Sequence, residues 1–242
     1  MTRTALLAAL VLAALLAAPA GARPHAAKLT IFAAASLTDA FREIDSHETY
    51  SFAGSNALAA QIGLGAPADL FASASPKYTQ ALFRRGLVDR PVAFASNRLV
   101  LIVPRANPAG IRSVHDLARK DVKLVVAAPA VPVGSYTRTV LRKLGLSSVL
   151  AKAVSQEADV KGVVGKVALG QADAGFVYVT DVKPVAAKVS AIAIPAAGQP
   201  RVRYEIAVVS RSAHKAAARA WVGRVLAKQG QSALARAGFG KP

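Results

Sequence analysis

Short apolar runs bounded by glycine, proline or hydroxyl residues alternate along this chain with stretches whose apolar positions recur every three or four residues. The first run, residues 29–35, reads as a strand and passes at once into a helical pattern over residues 38–44. A polar turn, Asp45-Ser46-His47-Glu48, leads to a short strand over 49–53. Gly54-Ser55-Asn56 then opens a helix with Leu58, Ala59 and Ile62 on one face. Gly65 ends it, Pro67 prevents its resumption, and residues 69–72 form the next strand. Ser75-Pro76-Lys77 starts a helix carrying Tyr78, Ala81 and Leu82 that stops at Gly86. Strand alternating with helix favours a mostly parallel sheet covered on both faces.

The second half keeps this rhythm. Residues 99–103 are a continuous apolar run ending at Pro104, expected as a buried strand. Ser113 caps a helix through Ala118, residues 122–127 are a strand, and 129–132 a loop. A helix over 133–143 is halted by Gly145. Asp159 caps another, whose apolar positions Val160, Val163, Val164, Val167 and Ala168 all fall on one helical face. Gly170 closes it, and strands are expected over 174–179, 189–194 and 202–209. The tail reads as a helix with Trp221, Val222, Val225 and Leu226 on its buried side, then a shorter one over 232–237. Two α/β units account for these elements better than one very wide sheet. No Gly/Ser-rich linker separates them, so the crossovers fall in strands or tight hinges, near Asn97 and near Tyr204.

Composition agrees with a globular chain: 53% of 242 residues are hydrophobic and 18% charged, enough for one large core or two smaller ones. The N-terminus differs in kind. Arg3, an Ala/Leu/Val run over 6–18, and small residues at Ala18-Pro19-Ala20 and Ala20-Gly21-Ala22 read as a secretory signal peptide within residues 1–27, cleaved between 20 and 27. No later stretch is apolar for long enough to span a bilayer, so no integral membrane segment is expected in the mature chain. The absence of cysteine excludes disulfides and a lipid-modified cysteine alike. The net charge of +18 raises the question of nucleic acid. The cations are scattered along helix faces (Lys215, Arg219, Arg224, Lys228) and are not interleaved with aromatic residues, so nucleic-acid binding is not expected. A basic envelope still attracts small anions over long range.

Candidate chemistry gathers where strands end and helices begin, the usual ligand position in open α/β sheets. Ser36 is placed as an N-cap, either closing a capping box with Asp39 or presenting the helix terminus to an anion. Gly54-Ser55, Pro132-Val133-Gly134 and Asp159-Val160 occupy similar junctions, and Val177-Tyr178-Val179 puts a phenol near a strand end. Each also has a purely local explanation in caps, turns and packing. Catalysis is not expected. The four histidines (His25, His47, His115, His214) lack metal-binding spacing, and no G-x-S-x-G sets up a nucleophile. The glycine-rich stretch 63–68 follows a helix and contains Pro67, the wrong context for a dinucleotide.

In sequence order, Ala33-Ala34-Ala35-Ser36-Leu37, Gly54-Ser55-Asn56-Ala57-Leu58 with Gly65-Ala66-Pro67-Ala68-Asp69, Val131-Pro132-Val133-Gly134-Ser135-Tyr136, Asp159-Val160-Lys161-Gly162 and Ala174-Gly175-Phe176-Val177-Tyr178 resemble the periplasmic molybdate-binding proteins. That family is the capture component of a molybdate ABC importer, and the resemblance runs over residues 29–239. It implies a two-lobe periplasmic binding protein fold of type II. Each lobe would be a mostly parallel sheet flanked by helices, with two crossover strands joining residues 28–96 plus 205–242 to residues 97–204. It implies an exported monomer of the periplasm or cell envelope, without cofactor, that delivers molybdate (and tungstate) to a membrane permease. Carried over by position, Ser36, Ser55, Val133, Val160 and Tyr178 would contact the oxygens of the anion, with no direct ligation of the metal. The alternative is a binding protein for another small oxyanion or solute.

None of these five is charged. The hydroxyls and peptide N–H groups of both serines, the N–H groups of Val133 and Val160 and the Tyr178 hydroxyl make seven donors. Hydrogen bonds to a charged acceptor are worth about 1.5–3 kcal/mol each. A set made only of donors favours a dianion without protons, and selection against sulfate would rest on size. Three departures from the family stand out. The segment 44–51 is short, which would stunt the first helix and loop; Val133 replaces the usual alanine; and Gly54 replaces a frequent serine.

Overall fold

The computed structural model describes residues 28–119 and 121–242; the signal-peptide expectation for residues 1–27 lies outside them. Strands β1 (Thr30–Ala34), β2 (Thr49–Ala53), β3 (Leu70–Ser73), β4 (Val92–Asn97), β5 (Leu99–Pro104), β6 (Leu124–Ala127), β7 (Ala153–Glu157), β8 (Ala174–Tyr178), β9 (Val189–Ala193) and β10 (Val202–Val208) form two five-stranded sheets. Their orders are β2-β1-β3-β10-β4 and β7-β6-β8-β5-β9. In the first, β1 is parallel to β2 and β3, while β10 runs antiparallel to β3 and β4. In the second, β6 is parallel to β7 and β8, while β5 runs antiparallel to β8 and β9. Both sheets therefore have the same pattern. The strand that enters from the other sheet lies fourth in order, against the direction of its neighbours.

The helices are α1 (Thr38–Ile44), α2 (Ser55–Gly63), α3 (Pro76–Arg84), α4 (Pro132–Lys143), α5 (Val160–Ala168), α6 (Val179–Val182), α7 (Lys215–Leu226) and α8 (Lys228–Ala237). Strand side chains alternate between faces, so a sheet covered twice needs apolar residues at every position. The first sheet does this. Ile31, Leu70 and Ile206 join the core under α1, α7 and α8, and their neighbours Phe32, Phe71 and Ala207 join a second cluster under α2 and α3 with Leu58, Ile62 and Leu82. In the second sheet the close packing is against Gly175 of β8. A Cβ there would stand 2.6 Å from Val163 and 3.0 Å from Val125, so the glycine lets α5 settle on the sheet.

The structure differs from the sequence-based expectations at several elements. β7 was not expected; apart from an exposed Val154 its residues are polar or small, and they alternate in exposure, as on an edge strand. β4 was not expected either; it pairs with β10 and buries Phe94 and Ala95 in the core. α4 begins at Pro132, one residue before the expected start, because proline suits the first helical position. Val179 opens α6 and does not extend β8. α8 starts at Lys228, not Ser232, and Leu226 at the end of α7 is exposed, not buried.

Trp221 of α7 meets Phe41 of α1 edge-on, with ring centroids 4.9 Å apart, and Phe41 also lies 5.9 Å from Phe94 of β4. Both Phe41 and Trp221 are fully buried. Replacing Phe41 with alanine should cost about 3–5 kcal/mol of stability. Urea unfolding followed by the fluorescence of Trp221, the single tryptophan of the chain, measures it.

Candidate functional site

The parallel register brings strand ends together. Ala34 of β1 lies opposite Ala53 of β2, and β3 ends at Ser73 beside them. The chain leaving each of these strands emerges at the same edge: Ala35-Ser36, Gly54-Ser55 and Ala74. In the second sheet β6, β7 and β8 run parallel and release Val131-Pro132-Val133, Asp159-Val160 and the Tyr178 side chain at a facing edge. Residues of both edges line a single pocket of about 210 Å³, part of it open to solvent. Ser36, Ser55, Val133, Val160 and Tyr178 all line it, and all are buried. Such a space takes a compact ligand of a few atoms, not a sugar or a peptide.

Each residue reaches the cavity for a local reason. Ser55 is the first residue of α2, with Gly54 as N-cap. Val133 is the second residue of α4, and Gly134 after it packs so tightly on the carbonyls of Ala127 and Ala128 that a Cβ would overlap them. Val160 is the first residue of α5, whose N-cap Asp159 accepts a hydrogen bond from the Gly162 N–H at 3.1 Å, as expected from the sequence. First-turn N–H groups have no partner within a helix, so α2, α4 and α5 aim theirs at the cavity with the positive ends of their dipoles. Asp159 also lines the cavity, but one of its oxygens is engaged with its own helix.

Ser36 corrects an expectation. It does not cap α1 and makes no capping box with Asp39; it lies within a 3₁₀ turn, Ala35–Leu37, that precedes the helix. Its hydroxyl lies 2.8 Å from the Tyr204 hydroxyl instead. The Ser55 hydroxyl accepts a hydrogen bond from the Ala74 N–H at 3.1 Å. Tyr178, at the end of β8, is buried, and its hydroxyl has no hydrogen-bond partner among the described residues. Burial, reinforced by Tyr204 beside it, pushes this phenol well above its ordinary range, so it stays neutral. Among the described residues no cationic side chain lines the cavity.

The family model described as bacterial extracellular solute-binding protein matches residues 29–240. The chain belongs to that family. Among relatives, the molybdate-binding protein ModA of Mycobacterium tuberculosis is 41% identical over 235 residues, covering 93% of this chain and 88% of that protein. ModA of Haemophilus influenzae is 36% identical over 203 residues, covering 76% of this chain and 78% of the relative. The solved periplasmic molybdate-binding protein of Azotobacter vinelandii superposes with a TM-score of 0.79 at 24% identity, over 89% of this chain and all of that one. These relatives are solute-binding proteins, not enzymes.

In this solute-binding protein, contacts cross between the two sheets around the cavity. The Tyr78 hydroxyl of α3 donates to the Ala130 carbonyl ahead of α4. Lys161 of α5 reaches Asp39 of α1 at 3.7 Å and Asp181 of α6 at 3.8 Å. Sequence reasoning passed over Lys161 and Asp181, whose only signal was their nearness to Val160 and Tyr178. Asp181 is buried and accepts the Tyr178 N–H at 3.1 Å, which fixes the end of β8.

Burial pushes the Asp181 carboxyl up from 3.8 to about 7, against the opposing pull of Lys161. A carboxyl raised in the folded state binds a proton there at pH values where the unfolded chain has released it. Its contribution therefore erodes stability as pH climbs from about 4 to about 7. Asp181→Asn should flatten this dependence: between about pH 5 and about pH 8 the wild type should lose more unfolding free energy than the variant. Urea titrations at both pH values test this, and parallel losses would mean that Asp181 is ionised throughout.

Proposed function

We propose that this protein captures molybdate between its two lobes and delivers it to the membrane permease of an ABC importer, and that it also accepts tungstate. The observation that carries the reading is the convergence of Ser36, Ser55, Val133, Val160 and Tyr178, from two sheets, on one small cavity whose only charged lining residue among those described is the helix-capping Asp159. The identity to molybdate-binding relatives along most of the chain supports the choice of anion. In this reading residues 1–27 direct export to the periplasm or cell envelope, and the mature protein acts as a monomer. Its lobes are 28–96 with 205–242, and 97–204.

A dianion entering a closed cavity gives up its hydration. Seven aligned donors, each worth about 1.5–3 kcal/mol toward a charged acceptor, compensate for that loss. With no paired cation, separation of the lobes returns the anion to water without breaking an ion pair. Molybdate and sulfate have the same charge and shape, so the donors cannot tell them apart and the dimensions of the closed cavity must.

Calorimetry of the purified protein with molybdate, tungstate, sulfate and phosphate tests the reading. Molybdate and tungstate should bind far more tightly than the other two; equal affinity for sulfate would overturn the assignment. Ser55→Ala should weaken molybdate binding by about 1.5–3 kcal/mol and also lower stability by about 1–3 kcal/mol, because the Ala74 N–H loses its buried acceptor. Tyr178→Phe should act differently. It removes a buried hydroxyl without a partner, so the ligand-free protein should melt no lower than wild type, while the upward shift on adding molybdate shrinks.

A further inference from the structure

Three short steps along the chain lead from cavity residues to one ion cluster. Asp39 in α1 lies three residues after Ser36, Lys161 in α5 one residue after Val160, and Asp181 in α6 three residues after Tyr178. The Lys161 ammonium stands 3.7 Å from an Asp39 carboxylate oxygen and 3.8 Å from Oδ1 of Asp181. Asp39 belongs to the half built on the first sheet and the other two to the half built on the second. The lysine therefore bridges the halves without lining the cavity itself. α5 also lies against the 3₁₀ turn that carries Ser36.

Local helix chemistry accounts for Asp39 but not for Lys161. Asp39 sits in the first turn of α1, where a carboxylate meets the positive end of the helix dipole. Lys161 sits in the first turn of α5, the end at which a cation is disfavoured. Tertiary contacts place it there. Asp181 is buried, its Oδ2 accepts the Tyr178 N–H, and its Oδ1 has no hydrogen-bond partner among the described residues. That leaves Oδ1 to draw the ammonium in and hold the long side chain toward α1. An exposed ion pair gains little, because two flexible side chains must be ordered to make it. Here one end is already ordered: the Lys161 and Asp39 side chains are 37% and 58% exposed, but Asp181 only 1%.

We propose that Lys161 is a positioning residue for anion capture: anchored by Asp181 and reaching Asp39, it clasps α1 to α5 and holds Ser36 in register with Val160 and Tyr178. The proposal rests on the reading of those three as oxyanion contacts. The ammonium meets carboxylates and not the ligand, so the clasp sets how long a captured anion stays and does not choose among anions. A second tie between the halves, from the Tyr78 hydroxyl to the Ala130 carbonyl, remains when the clasp is lost. Binding is therefore weakened and not abolished.

The test is calorimetry on the purified protein with molybdate and with tungstate, for wild type, Asp39→Asn, Lys161→Met and the combined variant, with release of radiolabelled molybdate timed for each. Asp39→Asn should weaken both anions by the same factor, about twofold to fivefold at low salt, through faster release. The sign is diagnostic. Removing a carboxylate near a dianion would tighten binding by simple relief of repulsion, so only a lost clasp weakens it. The difference from wild type should shrink at about 0.5 M salt, where a partly exposed pair is screened. In the Lys161→Met background Asp39→Asn should no longer weaken binding, and Lys161→Arg, which keeps the charge, should bind more tightly than Lys161→Met. If Asp39 serves only the dipole of α1, Asp39→Asn lowers the melting temperature and either spares affinity or weakens it equally in both backgrounds. Either result overturns the clasp and leaves the reading of the site standing. Should Lys161→Met fail to fold, Asp39→Asn decides alone: weakening that disappears at high salt supports the clasp, and weakening that persists overturns it. If wild type binds neither anion, the reading of the site falls and the clasp with it.

Discussion

The first peptide N–H groups of an α-helix have no carbonyl to meet inside the helix, and in this protein three helices direct theirs to one place. α2, α4 and α5 can do so only because the strands before them end together at one edge of each sheet, which requires those strands to be parallel. The two antiparallel strands, β5 and β10, are the ones that arrive from the other sheet. Mixed topology thus follows from building two parallel edges that face each other while the chain crosses between them twice.

Charge is handled with equal economy at the cavity. In a chain with a formal charge of +18, no lysine or arginine among the described residues lines this space. Lys161, beside Val160 in α5, is held between Asp39 and Asp181, where it links α5 to α1 and offsets part of the burial cost of Asp181. The charged groups hold the walls in place, and neutral dipoles face the ligand. The net positive field acts at long range, raising the local concentration of small anions without choosing among them.

Much of this was legible in the sequence because local chemistry and tertiary role coincide. Asp159 reads as an N-cap and is one; the apolar face of Val160, Val163, Val164 and Val167 reads as buried and is buried. Where the two diverge, the reading failed. Ser36 has the look of a cap, yet its hydroxyl is claimed by Tyr204, 168 residues away in sequence, a partner no local rule could supply. β7 has a weak strand pattern because pairing with its neighbour holds it, not burial of its own side chains. Asn97 was unreadable for the same reason: a lone asparagine near an expected hinge carries no local sign that its amide ties β4 of the first sheet to Thr180 of α6.

Gly54 shows how a substitution read from sequence changes meaning in three dimensions. As a departure from the family pattern it removes a hydroxyl, which suggests a weaker site. In the structure a Cβ at this position would lie 2.6 Å from the Ala158 carbonyl, across the cavity mouth on the chain that leads into α5. Backbone meets backbone there, and a side chain would force α2 and α5 apart. Because both helices begin at the cavity, that separation would pull the donors of Ser55 and Val160 away from a common centre. The lost hydroxyl is therefore offset by a closer approach of the two edges, and four of the seven donors that remain are backbone groups whose positions are set by the strands and helices themselves.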